Sequence, residues 1–383
     1  SHIDVYMKLN FAKKQIDGYN ILSMVSQIDY LYDIVLDFKG MNILRVTNIL
    51  DEDLSFKTVD ENPAIGQSLR IFLNNPLMKG KAIDIIVYYQ TNDLQTAVSW
   101  VPKENTLGKH LDFMYTQCEP IHCRSLVPIQ DSPSMKFTYD LEVETERSYI
   151  TFASANFTKE VFSAGTRKTF FSNKIPTAGY LIALVSGELV ETKVGDRTYV
   201  ITEPEMVDAA VAELSDLDRT IKEMEKYTGI PYVWGIYRIV ILPPNFPYGG
   251  MENPLLTLAT PYILVGDKSG VTVANHEIAH SWTGNLVTNM NWDNFWLNEG
   301  FTVFLERKIS KILNNETFVK IDARNGNSSM YQAMVGYGLD NKYSSLNPKS
   351  GKANPDDAFS TIPYEKGYQF LLYLESLDGE TNF

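Results

Sequence analysis

Five consecutive residues, His276-Glu277-Ile278-Ala279-His280, bring two imidazoles and a carboxylate together at a spacing that suits a metal ion. On an α-helix each residue turns about 100°, so positions i and i+4 fall about 40° apart and both rings can reach one ion. Glu277 points to the side, where it can meet a water on that ion. This is the H-E-x-x-H pattern of zinc hydrolases. A catalytic zinc takes three protein ligands and keeps a position open for water. Glu299, in Trp296-Leu297-Asn298-Glu299-Gly300, follows His280 after eighteen intervening residues and supplies the third. The stretch from Gly284 to Asn294 reads as a loop that lets a second helix fold back on the first. The chain has only 5 His, and two of them fall in this pattern. The expectation is one Zn²⁺ per chain, on His276, His280 and Glu299.

Three further segments carry candidate groups. Tyr248-Gly249-Gly250-Met251-Glu252-Asn253 sets a carboxylate in a Gly-rich segment after a strand, where missing Cβ atoms let a peptide backbone approach. The others are Thr116-Gln117-Cys118-Glu119 and Pro363-Tyr364-Glu365-Lys366-Gly367. H-E-x-x-H with its distant Glu resembles the thermolysin-like (gluzincin) zinc peptidases. The three further segments resemble the GxMEN, TQ-x-E and catalytic-Tyr segments of the zinc aminopeptidase family. The strings FPYGGMENP, HSWTGNLVT and FWLNEG are similar to its leukotriene A4 hydrolase/aminopeptidase B branch. The matches run from Thr116 to Gly367.

The resemblance implies an N-terminal all-β, saddle-like domain followed by a thermolysin-like, mostly α zinc-peptidase domain. It also implies a C-terminal helical domain, which is absent or truncated in this chain. Glu252 and Glu119 would hold the α-amino group of a substrate, with Gln117, Tyr248, Gly249, Gly250 and Met251 around it. Tyr364 would donate to the oxyanion, and Glu277 would be the general base. The partners expected are peptides with a free N-terminus. A second reading is hydrolysis of a lipid epoxide, with Asp356 directing water. Against it, Phe359 stands where the epoxide-hydrolysing relatives carry Tyr, and Glu119 where they carry Gln. A third is a non-catalytic scaffold, which the intact ligands and base oppose.

The elements that must position these groups are legible in outline. Ile3, Val5, Met7, Leu9 and Phe11 alternate with mostly polar residues, as do 34–38, 83–87 and 135–143, so the first half reads as sheets packed on sheets. From Pro204 the period changes. Val207, Ala210, Val211, Leu214, Leu217, Ile221 and Met224 predict one amphipathic helix, stopped by Gly229 and Pro231. A strand is expected over 239–242, and helices over 270–282, 295–313 and 364–377. A boundary near Gly187 divides the chain into domains 1–187 and 188–383.

Composition sets the wider limits. At about 150 residues per domain, 383 residues suggest two to three domains. The balance of 34 Lys+Arg against 47 Asp+Glu gives -13. Without a dense basic stripe, nucleic acid is excluded as a partner. Cys118 and Cys123 are too few for a disulfide framework and read as reduced thiols. No apolar run approaches the ~20 residues of a membrane helix. Ser1-His2-Ile3-Asp4 opens no signal peptide. These features read as a cytoplasmic monomer.

Overall fold

The computed structural model describes residues 1–379 and 383. They form two compact units, Ser1–Val190 with Glu203–Glu205, and Glu191–Thr202 with Met206–Phe383.

The first unit is built of sheets. The largest has seven strands in the spatial order Asn156–Ser163, Thr166–Ala178, Lys136–Glu146, His2–Asn10, Gln15–Val25, Ala82–Thr91 and Met41–Asn48. Its centre follows from the alternating pattern. His2–Asn10 runs parallel to Lys136–Glu146, with Val5 opposite Leu141 and Met7 opposite Val143, all four buried. Successive side chains on a strand face opposite ways, so one apolar set supplies the core. Met135, grouped with the buried residues by its alternation, is instead 40% exposed, because it precedes the strand. Smaller sheets of four and three strands complete this unit. Cys118 and Cys123 are free and buried.

One ion pair lies inside the first unit. Arg124 donates through Nε to Asp131 Oδ2 at 2.9 Å and through its terminal nitrogens to the carbonyls of Ile65 and Asp131. Both residues are buried. Burial raises the Asp131 carboxyl, and the guanidinium opposes that rise.

The second unit, from Glu191, opens on a five-stranded sheet whose strands in spatial order are Val190–Lys193, Thr198–Thr202, Tyr237–Ile241, Thr257–Ala259 and Gly250–Met251. Its three middle strands are parallel, and Gly250–Met251 is antiparallel to Thr257–Ala259. The helices are α1 (Val207–Glu213), α2 (Leu217–Thr228), α3 (Val271–Ala279), α4 (Phe295–Leu313), α5 (Glu316–Tyr337) and α6 (Thr361–Asp378). Among the described residues no helix is long and apolar enough to cross a membrane.

Two expectations need correction. The single helix predicted over 207–224 is broken into α1 and α2. Ser215 Oγ bonds back to the Ala212 carbonyl, and Lys268 ties both Ser215 and Asp216. Such side chains compete with the helical ladder. The apolar phase survives the break, since Ala210, Leu214, Leu217, Ile221 and Met224 are all fully buried. Gly229 ends α2 with φ +68°, in the left-handed region that favours glycine. The second correction is α5, which periodicity did not predict. None of its residues is buried, so it has no apolar stripe to read. Asp322 bonds Arg307 of α4 at 2.7 Å, and half-buried Ala323 packs on the cluster of Val303, Phe304, Tyr368 and Leu371.

Removing one partner of a buried ion pair leaves the other charge uncompensated. Arg124→Leu is expected to destabilise the first unit by about 3–5 kcal/mol. Urea denaturation followed by tryptophan fluorescence measures this, and a change under about 1 kcal/mol would contradict it.

Candidate active site

The second unit gathers its candidate residues from four elements. His276 and Glu277 lie on α3, and His280 is the residue that caps it, still with helical angles. Glu299 lies in the first turns of α4. Glu252 directly follows the short strand Gly250–Met251, and Asn285 donates to the Glu252 carbonyl at 2.8 Å, fixing that turn. Tyr364 sits near the start of α6, where Ser360 caps the helix by accepting from the Ile362 N–H.

The three expected ligands converge. His276 Nε2 lies 3.0 Å from His280 Nε2 and 3.2 Å from Glu299 Oε2, and His280 Nε2 is 3.4 Å from the same oxygen. The far side of each ring explains what these atoms carry. His280 Nδ1 faces the Thr283 carbonyl oxygen at 3.0 Å, and His276 Nδ1 faces Glu306 Oε2 at 3.0 Å. Both partners accept, so in the neutral rings Nδ1 bears the hydrogen and Nε2 offers a lone pair. Two lone pairs and a carboxylate oxygen then face one another with no proton between them. A cation relieves that repulsion, and two imidazoles with one carboxylate form a zinc donor set. The residues fit a zinc ion.

The surrounding charge points the same way. One ligand atom each from Glu252, Glu277 and His280 lies within 4.8 Å of the other two. Burial pushes the Glu277 carboxyl up to about 8, against the pull of His276 and His280. Burial also raises Glu252, with His280 opposing. It acts likewise on Glu299, but the two imidazoles outweigh it and hold that carboxyl down to about 2. For the rings, burial works downward. Glu252 and Glu299 nevertheless lift His280 to about 9, and Glu299 and Glu306 lift His276 well above its ordinary value. Four carboxylates around two imidazoles make a pocket that draws positive charge, as protons on the rings or as a metal ion instead of them.

Aromatic groups wall the cluster. The Tyr364 ring stacks on His276 at 5.9 Å and meets Phe295 edge-on at 6.1 Å. Phe359 touches both Tyr364 and Tyr248 edge-on, at 6.2 and 5.4 Å. Asp356 lies three residues before Phe359, half-buried in the short 3₁₀ turn Pro355–Ala358. Gly250 leaves room for Glu277, since a methyl group there would overlap its carboxyl group. Gly249 is less constrained, with Val273 the nearest neighbour at 3.5 Å. Met251 is buried in the strand pairing with Leu258. Gln117 and Glu119 belong to the first unit. They flank the buried Cys118 just beyond the strand Phe113–Thr116, and Gln117 N–H bonds the Ala97 carbonyl.

Sequence reasoning missed the groups behind the ligands. Glu306 follows Glu299 by seven residues, two turns along the same face of α4, and that spacing was the available signal. Thr302, one turn after Glu299, places its hydroxyl 3.0 Å from His280 Nδ1 and 2.9 Å from the Thr283 carbonyl. Outer partners of this kind set ring orientation and tautomer. Glu306→Gln is expected to keep the fold and weaken zinc retention by about 10–100-fold. Competition with a chromogenic chelator measures it, and unchanged retention would remove Glu306 from this role.

Comparison with known proteins adds the family. Residues 1–181 match the peptidase M1 N-terminal domain, and residues 212–383 match the peptidase family M1 domain. Leukotriene A-4 hydrolase of Xenopus laevis is 40% identical over 99% of this chain. Leucine aminopeptidase 2 of Chaetomium globosum is 37% identical over 100% of it. The chain spans 62% and 63% of the length of these two relatives. Among solved structures, native leukotriene A4 hydrolase from Saccharomyces cerevisiae superposes with a TM-score of 0.91 at 31% identity, covering 100% of this chain and 60% of that one. An M1 zinc metallopeptidase from Deinococcus radiodurans, 20% identical, shares the fold with a TM-score of 0.77 over 100% of this chain and 82% of its own. With both domain models matched in order and along most of its length, the chain belongs to peptidase family M1.

Proposed function

We propose that this protein is a zinc aminopeptidase that hydrolyses the N-terminal peptide bond of peptides. The observation that carries the reading is the buried cluster itself. Three lone-pair donors lie within 3.4 Å of one another, with the carboxylates of Glu277 and Glu252 beside them. His276, His280 and Glu299 would hold the zinc. When bound there, the ion supplies polarisation of the scissile carbonyl and a water acidic enough to lose its proton near neutral pH.

The chain's own groups do the rest. Glu277 takes the water proton onto a carboxylate oxygen and returns it to the leaving amine. The Tyr364 hydroxyl donates to the developing oxyanion, a contribution whose removal typically costs about 10²–10³ in rate. Glu252 accepts from the substrate ammonium in a charge-assisted hydrogen bond. The same part given to Glu119, with Gln117 beside it, rests on the sequence resemblance. An ammonium fixed beside the ion makes the enzyme an exopeptidase, since an internal segment has none to offer. Lipid-epoxide hydrolysis is the second reading, favoured by the name of the Xenopus laevis relative. Phe359, without a hydroxyl, and Glu119 weigh towards peptides. Product analysis with the epoxide separates the two.

Aminoacyl anilides are the direct test. The protein should cleave them, lose activity to a chelator, regain it with zinc, and spare N-acetylated substrates. Internal cleavage of N-blocked peptides without anilide cleavage would overturn the reading. In Glu277→Gln the zinc content should hold while kcat falls by about 10²–10⁴-fold. Loss of zinc in that variant would mean that Glu277 serves the metal rather than the proton.

A further inference from the structure

Helix α4 carries Glu299 and α6 carries Tyr364, and the two helices touch through glycine on both sides. A Cβ at Gly300 would stand 2.8 Å from Gly367 Cα, 3.0 Å from its carbonyl carbon and 3.4 Å from Pro363 O. A Cβ at Gly367 would stand 2.8 Å from Gly300 Cα and 3.3 Å from Trp296 O. Every one of these neighbours is backbone, which cannot swing aside as a side chain can. Ordinary carbon–carbon contact is about 3.5–4.0 Å. One methyl group on either helix must therefore part the pair by up to about 1 Å.

Interior glycines weaken the helices that hold them. Their placement here has a local counterpart in the chemistry. Gly300 directly follows Glu299, and Gly367 lies one turn after Tyr364. The same two helices are also clamped by the buried pair of Arg307 and Glu365, joined by two bonds of 2.8 Å. Lys308 of α4 also bonds Glu375 of α6 at 2.5 Å. The Tyr364 ring, next to Glu365 along α6, lies against His276.

We infer that the Gly300–Gly367 contact is a spacer that sets how far the Tyr364 hydroxyl reaches over the His276, His280 and Glu299 cluster. Both glycines are positioning residues. Neither touches substrate, and each acts through the distance between α4 and α6. The inference rests on the reading of Tyr364 as the oxyanion donor. Misplacing a reacting group by about 1 Å can cost on the order of 10²-fold in rate.

The test is a double-mutant cycle of Gly367→Ala and Tyr364→Phe in zinc-loaded full-length protein. Gly367→Ala alone should lower kcat on an aminoacyl anilide by about 10–100-fold, with KM and zinc content within about two-fold of wild type. In the Tyr364→Phe background it should add less than about two-fold, because the group it positions is gone. Affinity for a phosphinic dipeptide, whose oxygens stand in for the tetrahedral intermediate, should follow the same pattern by calorimetry. If Gly367→Ala does not fold, Gly300→Ala meets the same contact from the other helix and must behave alike. A costly Tyr364→Phe with an equal loss from Gly367→Ala in both backgrounds overturns the spacer alone. So does a Gly367→Ala variant with wild-type kcat. A Tyr364→Phe variant with wild-type kcat overturns the oxyanion reading, and the spacer with it.

Discussion

Three electron-pair donors facing one point are the constraint around which the second unit is arranged. His276 Nε2, His280 Nε2 and Glu299 Oε2 would repel one another in their metal-binding forms, so a charge of opposite sign must hold them together. The supporting structure serves to keep these atoms from turning away. The Thr283 carbonyl and the Thr302 hydroxyl bear on His280, and Glu306 bears on His276. Each support lies on α4 or in the loop leading to it. The fold thus links the direction of these donor atoms to how α3 and α4 pack, and a local change in that packing would turn them.

How far the sequence could be read depends on the reach of each signal. The spacing of the two imidazoles is local, because four residues on a helix fix an angle, and their convergence was legible. The central strands of the first unit were legible too, because a sheet with one buried face writes its alternation into the chain. Glu306 and Thr302 were not seen, since their roles depend on which face of α4 meets α3. The break at 214–216 was hidden because an unbroken apolar phase runs through it, and one of its anchors, Lys268, lies far along the chain. Helix α5 left no stripe to find. Gln117 and Glu119 came from resemblance alone, since nothing in their spacing points to an ammonium.

Glycine shows how one residue type carries several meanings. Gly229 answers a backbone demand, a left-handed helix end. Gly250 answers a side-chain demand, the volume of the Glu277 carboxyl group. At 300 and 367 the demand comes from another helix. The first is legible from the chain as a helix stop, whereas the other two are explained only when the neighbouring atoms are known.

Helix α5 has a consequence for how the second unit breathes. A segment of 22 residues with none buried gives little free energy to local opening, so its amide hydrogens should exchange through small fluctuations rather than global unfolding. Its tie to α4 ends on a guanidinium that holds Glu365 by two other bonds. When Asp322 lets go, Arg307 keeps its buried partner, and the α4–α6 pair keeps its clamp. Opening of α5 would still uncover that pair, because Gly326 packs directly on the Glu365 carboxyl group, so the clamp between α4 and α6 stays dry only while α5 is in place.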